Sequence, residues 1–161
     1  MRFFIADPPL IGKLKEQFVL LSNDENNWSK TYLDPVTGDS WFYYSIDSSR
    51  HGGGTAVFGK LPLLKGESLI DLVITSEYDD EVFAACKMLV ENEEVKNIDF
   101  RLNLICRLEQ LNNKSKRISI IEYTNLDSSL NRRGILGKPY DQIVSDVKYF
   151  KDISERAKQL M

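Results

Sequence analysis

The spacing of apolar positions along the chain changes period near residue 65. Up to Leu64 the apolar residues fall in short runs bounded by turn-forming residues, the pattern of strands. Asp34-Pro35-Val36-Thr37-Gly38-Asp39 is a turn: Pro35 presets the backbone for a first central position, and Gly38 can take the left-handed conformation that follows. The pattern predicts a hairpin, with Trp28–Leu33 entering and Trp41–Ile46 leaving. In the second strand Trp41 and Tyr43 share one face, and Phe42, Tyr44 and Ile46 the other. A strand with rings on both faces is expected at the centre of a sheet, covered on both sides. A third strand is expected around Ala56-Val57-Phe58, running towards Leu64, after the Gly52-Gly53-Gly54 loop. Gly12–Leu21 reads equally as a short helix or a strand.

Beyond residue 76 the period becomes helical. A helix capped by Asp79 or Asp80, with Val82, Cys86, Leu89 and Val90 on one stripe, is expected to end near Asn92. A second, over Ile98–Leu111, carries Ile98, Leu102, Ile105 and Leu108, and the short link predicts an antiparallel helical hairpin. Arg117–Tyr123, with Ile118, Ile120 and Ile121, reads most simply as a strand, with a helix as the alternative. Asn125–Lys138 reads as a loop. Pro139 suits the first turn of a last helix striped by Tyr140, Ile143, Val147, Phe150, Ile153 and Ala157. The predicted fold is α+β in a single domain over residues 1–161: a small antiparallel sheet in the N-terminal half, then a helical hairpin and a C-terminal helix.

Composition narrows the classes. With 161 residues, 42% of them apolar and 28% charged, the chain is too apolar for wholesale disorder and can bury a core without staples. No apolar run reaches membrane-spanning length, and Asp7-Pro8-Pro9 cuts short the only apolar stretch near the start. Two cysteines, Cys86 and Cys106, lack the density of a disulfide scaffold, are expected in the core, and point to a reducing, cytoplasmic setting. The net charge of -3 is unevenly spread. Residues 77–99 hold eight acids against two bases, and residues 100–161 twelve bases against seven acids. A pI near 5.3 argues against nucleic acid as a partner. The acidic stretch Glu77, Asp79, Asp80, Glu81, Glu91, Glu93 and Glu94 is the candidate surface for a basic protein partner.

Catalytic motifs are largely missing. His51 is the single histidine, and His51-Gly52-Gly53-Gly54 has the form of an esterase oxyanion loop. That chemistry also needs a G-x-S-x-G elbow and a second histidine as base, and neither exists. One histidine and two cysteines are too few for a closed zinc site, no EF-hand spacing occurs, and Gly134–Lys138 is too short between glycines for a phosphate loop. No cofactor is implied. A pair of carboxylates acting as acid and base stays open as a lesser reading, since nothing singles one out.

Taken together, Trp28, Tyr32, Asp34, Pro35, Gly38, Trp41, Tyr44, Ser48 and His51-Gly52-Gly53-Gly54 resemble the immunity-protein 27 family of bacterial polymorphic toxin systems. The shared pattern is W, a short gap, Y-x-D-P-x-x-G-x-x-W, then Y-x-x-x-S-x-x-H-G-G-G. It spans under a quarter of the chain, and Thr55 stands where that family often carries proline. The resemblance implies a cytoplasmic antidote that binds a cognate toxin and neutralises it without catalysis; the acidic stretch matches a basic toxin. The alternative class is a structural or regulatory interaction module, for which a homodimer is one form.

Overall fold

The computed structural model describes residues 1–46 and 53–161. The chain divides into two compact units, Met1–Met88 and Leu89–Met161. The fold is α+β, as the change of period predicts.

The first unit is built on a five-stranded antiparallel sheet. Its strands are β1 (Phe4–Ile5), β2 (Val19–Asp24), β3 (Ser29–Leu33), β4 (Ser40–Ile46) and β5 (Thr55–Lys60), in the order β1-β5-β4-β3-β2. The expected hairpin is β3–β4, closed by a turn in which the Asp34 carboxylate accepts the Val36 N–H at 2.8 Å and Gly38 takes φ +77°. β4 lies at the centre, as its rings suggest, and β5 stops at Lys60 instead of running on to Leu64. The ambiguous Gly12–Leu21 segment is both things in turn. Helix α1 (Pro8–Gln17) starts where the Asp7 carboxylate accepts the Leu10 N–H at 2.8 Å, and β2 follows it directly.

Pairing register assigns the two faces of the sheet. Tyr43 lies opposite Phe58 and Tyr32 opposite Trp41, so these four rings share one face. With Ile5 and Ile11 they form a core on which α1 lays Leu10 and Leu14, and Phe18, the residue that ends α1, joins them. On the other face, Phe42 lies opposite Gly59 and Tyr44 opposite Val57. The Tyr44 hydroxyl meets Met88 Sδ at 3.1 Å. A Cβ on Gly59 would sit 2.5 Å from Leu63 Cδ2 and 3.2 Å from the Phe4 ring, which explains a glycine inside β5.

Helices α2 (Glu67–Thr75) and α3 (Asp79–Lys96) follow the sheet. The expected positions Val82, Cys86, Leu89 and Val90 of α3 are all buried. Asp79 and Asp80 stand in its first turn, and the Asp80 carboxylate takes the Ala6 and Asp7 N–H groups at 2.9 and 3.1 Å, together with the Arg2 guanidinium. Burial alone would raise this carboxyl, but those donors outweigh it and hold it below its ordinary range. Glu81, 1% exposed, accepts the Phe4 N–H at 3.0 Å, the Phe3 N–H, and the Ser76 hydroxyl at 2.6 Å. These acids hold β1 in place. α3 passes the expected stop near Asn92 and ends at Lys96. The Asn92 side chain accepts from Lys96 Nζ at 3.0 Å within the helix, and Asn97, at φ +55°, turns the chain out.

The second unit contains the end of α3 and helices α4 (Arg101–Gln110), α5 (Lys114–Thr124) and α6 (Tyr140–Leu160). The apolar stripe expected on α4 is rotated. Ile98 and Leu102 are 46% and 48% exposed, and the inward positions are Arg101, Leu104, Ile105 and Leu108. Arg101 goes inside because Glu93 neutralises it: both are 1% exposed, Arg101 Nε reaches the two Glu93 oxygens at 2.8 and 2.9 Å, and its guanidinium lies 4.7 Å from the Phe150 ring centre. α4 packs chiefly against α6. Arg117–Tyr123 belongs to α5, not to a strand. Its N-terminus is capped by Asn113, which accepts the Lys116 N–H at 3.0 Å, and Asn125 ends it at φ +51°. Cys86 is buried, but Cys106 is exposed and lies 3.3 Å from Arg156 Nη2.

In α6 only the C-terminal part of the expected stripe, Phe150, Ile153 and Ala157, is buried. Tyr140 and Val147 are 78% and 50% exposed. Asp146 takes an inward position instead, receiving Lys138 Nζ at 2.8 Å and Arg133 Nη1 at 3.0 Å from the preceding loop. Among the described residues, no helix is long and apolar enough to cross a membrane.

The Arg101–Glu93 pair makes a direct prediction. Arg101→Met leaves a buried carboxylate unpaired and should cost about 3–5 kcal/mol, and adding Glu93→Leu should recover most of that loss. Urea denaturation of the three proteins measures both steps. An Arg101→Met midpoint equal to that of the unaltered protein would contradict the assignment.

Candidate functional site

The motif residues divide into two groups in space. Tyr32 and Trp41, each 6% exposed, sit in the core on the α1 face, and Asp34, Pro35 and Gly38 form the β3–β4 turn. These build the scaffold. Trp28, Tyr44 and Gly53 meet at the opposite end of the sheet, where they border a common hollow. Gly54, at φ +76°, leads from there into β5. Ser48, His51 and Gly52 lie outside the described residues.

Trp28 dominates that end. It is the last residue of the Glu25-Asn26-Asn27-Trp28 turn that joins Asp24, at the end of β2, to β3. The Asp24 carboxylate accepts the Asn26 and Asn27 N–H groups at 3.1 and 3.2 Å and the Asn27 side-chain amide at 2.7 Å. The hydrogen bond from the Asn27 side chain, above all, holds the Asp24 carboxyl below its ordinary range. The turn delivers Trp28 at φ +51°, in the left-handed region that a bulky side chain rarely enters. Its indole is 84% exposed. A large apolar ring is therefore held in a strained backbone conformation and gains little burial in return.

Two hollows flank the ring. One, of about 690 Å³, is bordered by Asn27, Ser29, Phe42, Tyr44, Ser45 and Gly53. Phe42 and Tyr44 stack there with ring centres 5.1 Å apart. The other, of about 580 Å³, has Asn23, Asp24, Glu25, Lys30, Tyr43 and Ser45 around it. Among the described residues the first hollow is lined by aromatic faces, an amide and hydroxyls, the make-up of the centre of a protein–protein contact, and the second adds the charges of Asp24, Glu25 and Lys30. Among the described residues, no group of three or more His, Cys, Asp or Glu side chains is placed to hold a metal ion.

The acidic stretch does not form a continuous charged rim. In the first unit Glu77 and Asp79 face solvent, whereas Asp80 and Glu81 are taken up by the backbone of β1 and its flanks. In the second unit Glu93 is buried on Arg101, Glu91 is half-buried, and Glu94 pairs with Arg132 at 3.4 Å. Sequence reasoning named Trp28 but missed Asp24, Asn27, Phe42 and Ser45. The Asn/Asp run ahead of Trp28 was the available signal for a turn that projects it.

The two tryptophans should respond oppositely to substitution. Trp28→Gly removes left-handed strain of about 1–2 kcal/mol against a glycine entropy cost of about 0.5–1 kcal/mol, so stability should hold or rise slightly. Trp41→Ala should cost about 3–5 kcal/mol through lost burial and a cavity. Thermal unfolding decides: a Trp28→Gly melting temperature lowered as far as that of Trp41→Ala would show that Trp28 is a structural residue. Comparison of the chain with protein-family models, with curated proteins and with solved structures finds no match.

Proposed function

We propose that this chain is an immunity-type protein that neutralises a cognate bacterial toxin by direct, non-catalytic binding in the cytoplasm, and that Trp28 anchors the contact. The observation that carries the reading is the exposed indole of Trp28, held at positive φ by the Asp24 turn and flanked by two hollows. Strain retained at an exposed aromatic residue is what a preorganised contact residue requires, because its conformation is fixed before the partner arrives. The resemblance of the Trp28-to-Gly54 pattern to the immunity-protein 27 family supports the same reading, since residues of that pattern converge on this surface. Asp24 and Glu25 beside the ring, with Glu77 and Asp79 elsewhere on the first unit, favour encounter with a basic toxin.

A second reading has one observation in its favour. β2 is an edge strand whose Val19, Leu20 and Leu21 are 50–54% exposed, and an open apolar edge can pair with a second copy of itself. Under this reading the chain is a homodimeric interaction module.

Affinity capture from the native host separates them. The immunity reading expects one dominant protein, near one-to-one with the bait, that arrests growth when expressed without this chain, and Trp28→Ala should lower its retention at least tenfold. Recovery of the chain alone, as a dimer, would overturn the immunity reading. Undiminished retention by Trp28→Ala would remove Trp28 from the contact.

A further inference from the structure

Helix α6 is built in two unlike halves. In the second, Phe150, Ile153, Ser154 and Ala157 are buried, whereas over residues 140–148 only Asp146 is buried and Ile143 half-buried. Tyr140, Val144 and Val147 are 78%, 47% and 50% exposed. They stand four and three residues apart, so they form one stripe along the helix, which Lys151 continues. This half is also a poor helix by itself. Tyr140, Asp141, Ile143, Val144, Ser145, Asp146 and Val147 all rank low in helix propensity, and Pro139 gives the N-terminus no side-chain cap. Such a segment is held helical chiefly by packing of an apolar face, and the apolar face it has is the open one.

The charges beside the stripe decide what covers it. Asp141 and Lys148 lie along one edge, and Lys151 stands at the far end. The preceding loop adds no free base: Arg132 pairs with Glu94, and Arg133 and Lys138 pair with Asp146. An acid at the start and two bases two turns later make the face complementary to itself in reverse. Two such helices, laid antiparallel about a two-fold axis level with Ser145 and Asp146, place Val144 opposite Val147 of the other copy. The same register sets Asp141 beside Lys148 and Lys151 of the other copy and the Tyr140 ring beside its Lys151. Asp152, Glu155 and Lys158 fall beyond the other copy's first turn. A parallel pairing would set like charges side by side.

We propose that the outer face of α6, over residues 140–151, is a two-fold interface on which a second copy of this chain lies antiparallel. Three turns of one helix bury less than a standard interface, so the dimer is weak and reversible. The face belongs to the second unit and the Trp28 surface to the first, so the proposal stands apart from the immunity reading, which turns on whether a toxin is captured. It is also distinct from pairing through β2.

Sedimentation velocity over about 5–500 µM protein tests it. The mean mass should rise with concentration from the 18.5 kDa of one chain towards twice that value. Val144→Lys should lower the association constant at least tenfold, and Leu20→Lys on β2 should leave it unchanged. Asp141→Lys should weaken association about five- to tenfold, as should Lys148→Asp combined with Lys151→Asp. All three reversals in one chain should restore it to within about threefold, because each copy then carries the same complementarity with the signs exchanged. A chain that stays monomeric throughout, a dimer indifferent to Val144→Lys, one lost with Leu20→Lys, or no restoration by the triple variant would overturn the proposal.

Discussion

Phe58 is the point on which the first unit is organised. Four rings converge on it: Tyr32 and Tyr43 with centres at 5.3 Å, Phe18 at 5.9 Å and Trp41 at 6.4 Å. Each such pair contributes about 0.5–1.5 kcal/mol beyond the area it buries, and together they bind α1, β3, β4 and β5 to a common register. A slip of one residue in β4 would carry Trp41 and Tyr43 to the opposite face and bring Phe42 and Tyr44 onto Phe58. With the register fixed, Phe42 and Tyr44 must point away from this junction, and there they border the hollow beside Trp28. The candidate site is thus set by packing on the other side of the sheet.

Charge is used locally in both units. A count by segment suggests a negative rim over residues 77–99, but Glu81 and Glu93 are interior groups that satisfy backbone N–H donors and a guanidinium, respectively. Asp146 does comparable work for the loop before α6, and the hydrogen bond from Lys138 leads in holding its carboxyl below the ordinary range. Formal charge at these positions therefore overstates the field a partner would meet, because each carboxylate is already matched at short range. The acids beside the exposed Trp28 ring are Asp24 and Glu25.

The hairpin was legible because Asp34-Pro35 and Gly38 each have a conformational reason to be where they are, and α3 because its stripe is uniformly apolar. Asp7-Pro8-Pro9 does cut short the apolar run Phe3–Ala6, and the same capping carboxylate followed by proline also starts α1. Two readings missed, one for a local reason and one because a residue's partner in space was invisible. Three isoleucines in Arg117–Tyr123 suggest a strand, but Ile120, Ile121 and Thr124 are buried at helical spacing between two asparagine caps. The phase of α4 depends on Arg101, which hydrophobicity alone excludes from a core and Glu93 admits. At the site, the pattern picked out Trp28 and Tyr44, whereas the neighbours that complete the surface come from a turn and from alternate residues of β4 whose exposure only pairing register reveals.

The central claim is that the Trp28 end of the sheet, and not the 77–94 stretch, meets the partner. Hydrogen–deuterium exchange of the chain, free and in complex with the protein it captures, tests this most directly. The account predicts slowed exchange over Asn23–Ser29 and Phe42–Ser45, with the first turns of α3 unchanged. Protection concentrated over Glu77–Glu94, with the Asp24–Trp28 turn exchanging as in the free protein, would contradict it.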